Sequence, residues 1–62
     1  MMTYLQVVET LDLIRKNSEE AVAKLGTVEV YKLQSDESAA VLYEAIELFA
    51  ANIVALRSLA GE

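Results

Sequence analysis

AIELFAANIVALRSL, residues Ala45 to Leu59, decides the fold, because it is apolar around more of its girth than a surface helix needs. At the helical step of about 100° per residue, Leu48, Leu59, Val41, Leu56, Phe49, Leu42, Ile53, Ile46, Tyr43 and Val54 fall in one sweep of roughly 240°. Glu37, Glu44, Glu47 and Ser58 form the polar remainder, filled out by Ala40, Ala51 and Ala55. A stripe a little over about 100° wide is enough to seat a helix on a core. A helix clothed this widely belongs in a bundle of more than two helices or in a membrane.

Charge argues against the membrane. Spanning takes about 20 mostly apolar residues, whereas the longest run without a charged residue, Leu48 to Leu56, already contains Asn52 and is bracketed by Glu47 and Arg57. Charges at bilayer depth are costly.

Working outward, Ser35 is placed to cap this helix. Asp36 and Glu37 follow in the first turn, where negative charge meets the positive end of the helix dipole. Arg57 sits near the far end and Gly61 offers the stop, so the spacing predicts a helix over 36–60. Thr3 to Leu25 predicts another. Tyr4, Val7, Val8, Leu11, Ile14, Ala21, Val22 and Leu25 gather within roughly 140°, opposite Glu9, Asp12, Lys16, Glu19, Glu20 and Lys24. Asp12 with Lys16 and Glu20 with Lys24 are acid-first pairs at i, i+4. Asn17-Ser18-Glu19-Glu20 has a capping-box pattern, yet the stripe stays in phase across it, which favours one helix over two. Gly26 is the expected stop, closing the helix in the left-handed conformation that glycine accepts.

Between them, the segment over 28–33 is rich in β-branched and aromatic residues. It reads as a short extended stretch, pairing with its twin in a second subunit or lying across the end of a bundle; a helix that resumes with a new face is the competing reading.

Two helices of similar length joined by about nine residues fold back antiparallel. The expectation is an all-α, antiparallel helical hairpin in a single domain over 1–62. Its core falls to Val7, Leu11, Ile14, Leu25, Leu42 and Leu56. The side of the second helix left uncovered, Tyr43, Ile46, Phe49, Ala50, Ile53 and Val54, calls for another protomer. A two-fold dimer forming a four-helix bundle is the simplest closed solution. Ala39, Ala45, Ala50 and Ala60 are small enough to let helix axes approach closely. Asn52 reads either as a register-setting contact or as a rim position reached by water, and the rim is favoured.

Composition points the same way. A chain of 62 residues buries only about 60% of the surface it exposes when unfolded, and such small domains lean on a disulfide, a metal or a second subunit. There is no cysteine and no histidine in a sequence that is 55% hydrophobic, which leaves oligomerisation as the staple. The net charge of -5 is uneven. Residues 1–34 hold Glu9, Asp12, Glu19, Glu20 and Glu29 against Arg15, Lys16, Lys24 and Lys32; residues 35–62 hold Asp36, Glu37, Glu44, Glu47 and Glu62 against Arg57 alone. No basic cluster exists for phosphate backbones or anionic lipid, so neither nucleic acid nor membrane is an expected partner. MMTYLQVV lacks the features of a secretory signal, and a cytoplasmic address is expected.

Without His or Cys, the usual general base and thiol nucleophile are missing. Di-metal carboxylate bundles need a Glu-x-x-His motif, and the two glycines, Gly26 and Gly61, are too far apart for a phosphate loop. No catalytic, cofactor or metal site is expected. Tyr4, Tyr31 and Tyr43 read as core or rim residues. The remaining expectation is a non-enzymatic protein that acts through protein–protein contact, as a homodimer that engages another protein. The alternatives are a subunit of a hetero-oligomer and a bundle holding a small apolar ligand.

Overall fold

The computed structural model describes residues 2–29 and 35–61. Two helices, α1 (Tyr4–Leu25) and α2 (Asp36–Leu59), pack against each other as a hairpin, and the described residues contain no strand. The run is antiparallel: Lys24 at the end of α1 meets Glu44, Ser18 meets Asn52 and Met2 meets Ser58.

Local chemistry sets the ends. Thr3 caps α1 through a reciprocal pair: the Gln6 amide donates to Thr3 Oγ1 at 3.2 Å and the Thr3 amide donates to Gln6 Oε1 at 2.8 Å. Two otherwise orphaned amide donors are satisfied at once. Asn17 to Glu20 do not interrupt the helix. Gly26 departs from expectation, because it stays right-handed at φ -65°. Closure comes instead from a tightened turn, with the Thr27 amide donating to the Lys24 carbonyl at 3.0 Å and the Val28 amide to that of Leu25 at 3.2 Å. The Thr27 hydroxyl adds a third bond to Lys24 O at 2.7 Å, so no left-handed residue is needed. Ser35 caps α2 by accepting the Ser38 amide at 3.2 Å. Gly61, at φ 86°, supplies the left-handed stop. Of the segment expected to be extended, Val28 and Glu29 are irregular, and 30–33 lie outside the described residues.

The helices meet along a seam that repeats every seven residues. Val7, Ile14, Ala21 and Val28, with Thr10, Asn17 and Lys24 between them, face Ser38, Ala45, Asn52 and Leu59, with Val41, Leu48 and Ala55 between; all are buried or half-buried. The 3-4 spacing is that of antiparallel coiled coils, but the content is unusual, since five of these positions are polar or charged. The most buried apolar residues of the seam are alanines: Ala21 is fully buried and Ala45 is 2% exposed. No large side chain is fully buried among the described residues. The seam therefore fixes how the helices meet without supplying a substantial apolar core.

Asn52 corrects the rim reading. It is 7% exposed, and its Nδ2 donates to Ser18 Oγ at 3.1 Å, whose own hydroxyl donates to the Ile14 carbonyl at 2.7 Å. A small serine opposite makes room for the amide inside the seam, where the sequence periodicity alone had placed it at an edge. Its Oδ1 has no hydrogen-bond partner.

The hairpin is a plank, with extents of 46 × 18 × 12 Å and a radius of gyration of 14.4 Å. A compact domain of this length would have about 11 Å. One dimension is a single helix thick, so neither helix has a second neighbour among the described residues.

Candidate interaction surface

With the seam as reference, the rest of each helix can be placed around it. On α1, Tyr4, Leu11 and Leu25 stand four residues on from a seam position, at about 50° from it, and Val8 and Val22 stand one residue on, at about 100°. On α2, Phe49 and Leu56 occupy the first of these places and Ile46 and Ile53 the second. Both stripes are rotated from the seam in the same sense about their own axes. Because the helices are antiparallel, the same sense of rotation brings both stripes to the same broad side of the plank.

An independent contact supports that geometry. Glu44, one residue before Ala45, is rotated the opposite way, and it accepts from Nζ of Lys24, at the edge of the seam, at 2.9 Å across the hairpin, as a residue on the other broad side can. The plank thus has an apolar face, Tyr4, Val8, Leu11, Val22 and Leu25 beside Ile46, Phe49, Ile53 and Leu56, and an opposite face bridged by an ion pair. Leu13 and Val54 are the large apolar exceptions on the ion-pair side.

The apolar face is open to solvent. Tyr43, Ile46, Phe49, Ile53 and Val54 are 43–68% exposed, and Ala50 is exposed as well. Tyr43 and Ala50 lie at the outer edge of α2, further around than Ile46 and Ile53, while Val54, two residues past Asn52, shares the place of Glu47 and turns toward the ion-paired side. Of the residues expected in the hairpin core, Val7, Ile14 and Leu42 are half-buried. Leu11, Leu25 and Leu56 stand 52%, 39% and 50% exposed, because they lie beside the seam on the broad face. The α1 half of this face is missing from the sequence reading. A single circular sweep merges Val7, Ile14 and Ala21 with Tyr4, Leu11 and Leu25, whereas a heptad frame separates them into two adjacent seams.

The surface total agrees. The chain exposes 4944 Å², where a folded monomer of 6.8 kDa typically exposes about 4,000 Å². The α2 helix is also long and apolar enough to cross a membrane by length and composition, with a mean hydropathy of 1.7 over an 18-residue window, 17% of it buried. This is weak in a two-helix chain, since core helices of water-soluble proteins pass the same test.

Apart from Arg15, charges sit away from the face or at its margin. Asp12 bonds Lys16 at 3.0 Å and also pairs with Arg15; these two cations hold its carboxyl below the usual aspartate range, Lys16 contributing most. Lys24 pairs with Glu44 on the other helix instead of with Glu20, and Glu44 raises its pKa above the usual lysine value. Arg15 stands at the outer part of the apolar face and Arg57 at its edge, where long stems lie along apolar surface while their heads reach water.

Two clefts flank the hairpin, both open to solvent. One of about 240 Å³ lies by the turn, lined by Thr27, Val28, Glu29, Ser35, Glu37, Ser38 and Val41. The other, about 470 Å³, lies by Met2, Val7, Ser58, Leu59 and Gly61. Among the described residues, no three acidic side chains converge as metal ligands would. No family model, curated protein or solved structure matches the chain.

Proposed function

We propose that this chain is a non-enzymatic interaction protein, a homodimer of helical hairpins that works by presenting its outer surface to another protein as a regulator, inhibitor or adaptor. The observation that carries the reading is the surplus of exposed apolar side chains concentrated on one broad side of the hairpin. Contiguous apolar patches of this size on a small protein mark contact with another macromolecule. The lack of histidine and cysteine supports a role without catalysis.

Sedimentation equilibrium over a range of chain concentrations tests the homodimer. The expected result is a folded particle of twice the 6.8 kDa chain mass. A well-folded particle of single-chain mass at every concentration would overturn it. Aggregation or a molten, dye-binding state of the isolated chain would favour instead a subunit that requires a different protein.

A further inference from the structure

We infer that the second copy sits on both helices of the hairpin, with α1 contributing as much of the contact as α2, so that two planks meet broad face to broad face and their ion-paired sides point outward. This rests on the homodimer proposed above and specifies its surface. The first support is geometric: Tyr4, Leu11 and Leu25 on α1 and Ile46, Phe49 and Ile53 on α2 share one side of the plank, and Lys24–Glu44 occupies the other.

The second support is area. A compact protein of twice this mass exposes about 6,600 Å², whereas two separated hairpins at 4944 Å² each expose nearly half as much again. Reaching the ordinary value removes about 1,600 Å² per chain from water, an obligate-sized interface. A face 46 Å long and 18 Å wide has a smaller flat area than that, so its whole width, both helices, is called on. Contact through α2 alone covers one helix's width and leaves Tyr4, Leu11 and Leu25 wet.

Charge is the third. Each chain carries a net -5, and like charges facing each other across an interface destabilise it. Face-to-face apposition keeps Glu20, Glu37, Glu44 and Glu47 on the outward sides. A two-fold axis through the face makes the contact self-complementary and closed.

Three variants separate this arrangement from its competitors: Leu11→Glu on the α1 half of the face, Ile53→Glu on the α2 half, and Leu13→Glu on the ion-paired side. Sedimentation should show both face variants weakened in self-association by about 100-fold or more, since each would bury a charge, with Leu13→Glu dimerising like the parent. To separate lost association from lost folding in a face variant, a photo-crosslinking benzoylphenylalanine at position 11 or 13 of the otherwise unaltered chain gives a second readout. A covalent dimer is expected from position 11 and not from 13. Dimerisation of Leu11→Glu at parental strength, with Ile53→Glu monomeric, overturns the two-helix face while leaving the homodimer intact. A parent chain that is monomeric and folded removes the homodimer itself, and flotation of single chains with phosphatidylcholine vesicles would assign the face to a membrane and overturn the inference.

Discussion

Replacing Asn52 with leucine should stabilise the protein. The side chain is 7% exposed and makes one bond, to Ser18 Oγ at 3.1 Å, while its Oδ1 is buried without a partner. Removing the bond costs about 0.5–1.5 kcal/mol, and removing an orphaned buried acceptor returns about 1–3 kcal/mol. Ser18 is not orphaned by the change, because its hydroxyl already donates to the Ile14 carbonyl at 2.7 Å. Burying a leucine in place of the amide adds up to about 1.5–3 kcal/mol, reduced by the branched side chain having to fit against Ser18, where overpacking costs about 1–3 kcal/mol. The balance is a gain of about 1–2 kcal/mol. Urea unfolding followed by circular dichroism measures it, at one fixed chain concentration because association contributes to apparent stability. Asn52→Asp should do the reverse and recover as the carboxyl is protonated in acid. If Asn52→Leu lowered stability by more than about 1 kcal/mol, Oδ1 would have to be bonded in solution, and the reasoning would be refuted.

Ser35→Ala removes the α2 cap and should cost about 1 kcal/mol in the same urea experiment, with Thr3→Ala giving a similar loss at α1. Ala45→Leu overfills a buried position of the seam, and a drop of about 1–3 kcal/mol is expected; no change would mean the seam is looser than described. For pH, the Asp12 carboxyl is held below its ordinary 3.8, so its ion pairs stabilise the fold above that value and the contribution fades as pH falls through the folded pKa. Lys24 is raised above 10.5; its contribution is complete below that value and lost as pH rises through the folded pKa. Asp12→Asn should flatten only the acid limb of a thermal-stability profile and Lys24→Met only the alkaline limb, both by small amounts because the pairs are exposed.

Helix ends and hairpin topology were legible in the residues because each rests on local chemistry. Ser35 before Asp36-Glu37, Gly61 after Ala60 and the paired apolar stripes are all short-range signals. The Thr3–Gln6 box carries the same kind of local signal, Thr-x-x-Gln. Gly26 misled because glycine permits the left-handed turn without requiring it, and Thr27 offered a cheaper closure. What periodicity could not settle was which of two adjacent apolar seams each helix spends on its neighbour. Leu11, Leu25 and Leu56 are greasier than Ala21, Ala45 and Asn52 and so looked like the hairpin core. The buried small residues Ala21 and Ala45, and the fit of Asn52 against Ser18, mark the smaller and more polar seam as the one used, leaving the larger side chains for the broad face.

The most direct test is isotope-filtered NMR on a mixture of carbon-13-labelled and unlabelled chains, which reports only contacts between copies. Intermolecular signals should connect the methyls of Leu11, Leu25 and Ile53 and the ring of Phe49 with protons of the second copy, while Leu13 shows none. Silence at all of those methyls in a folded sample would contradict a second copy on the apolar face.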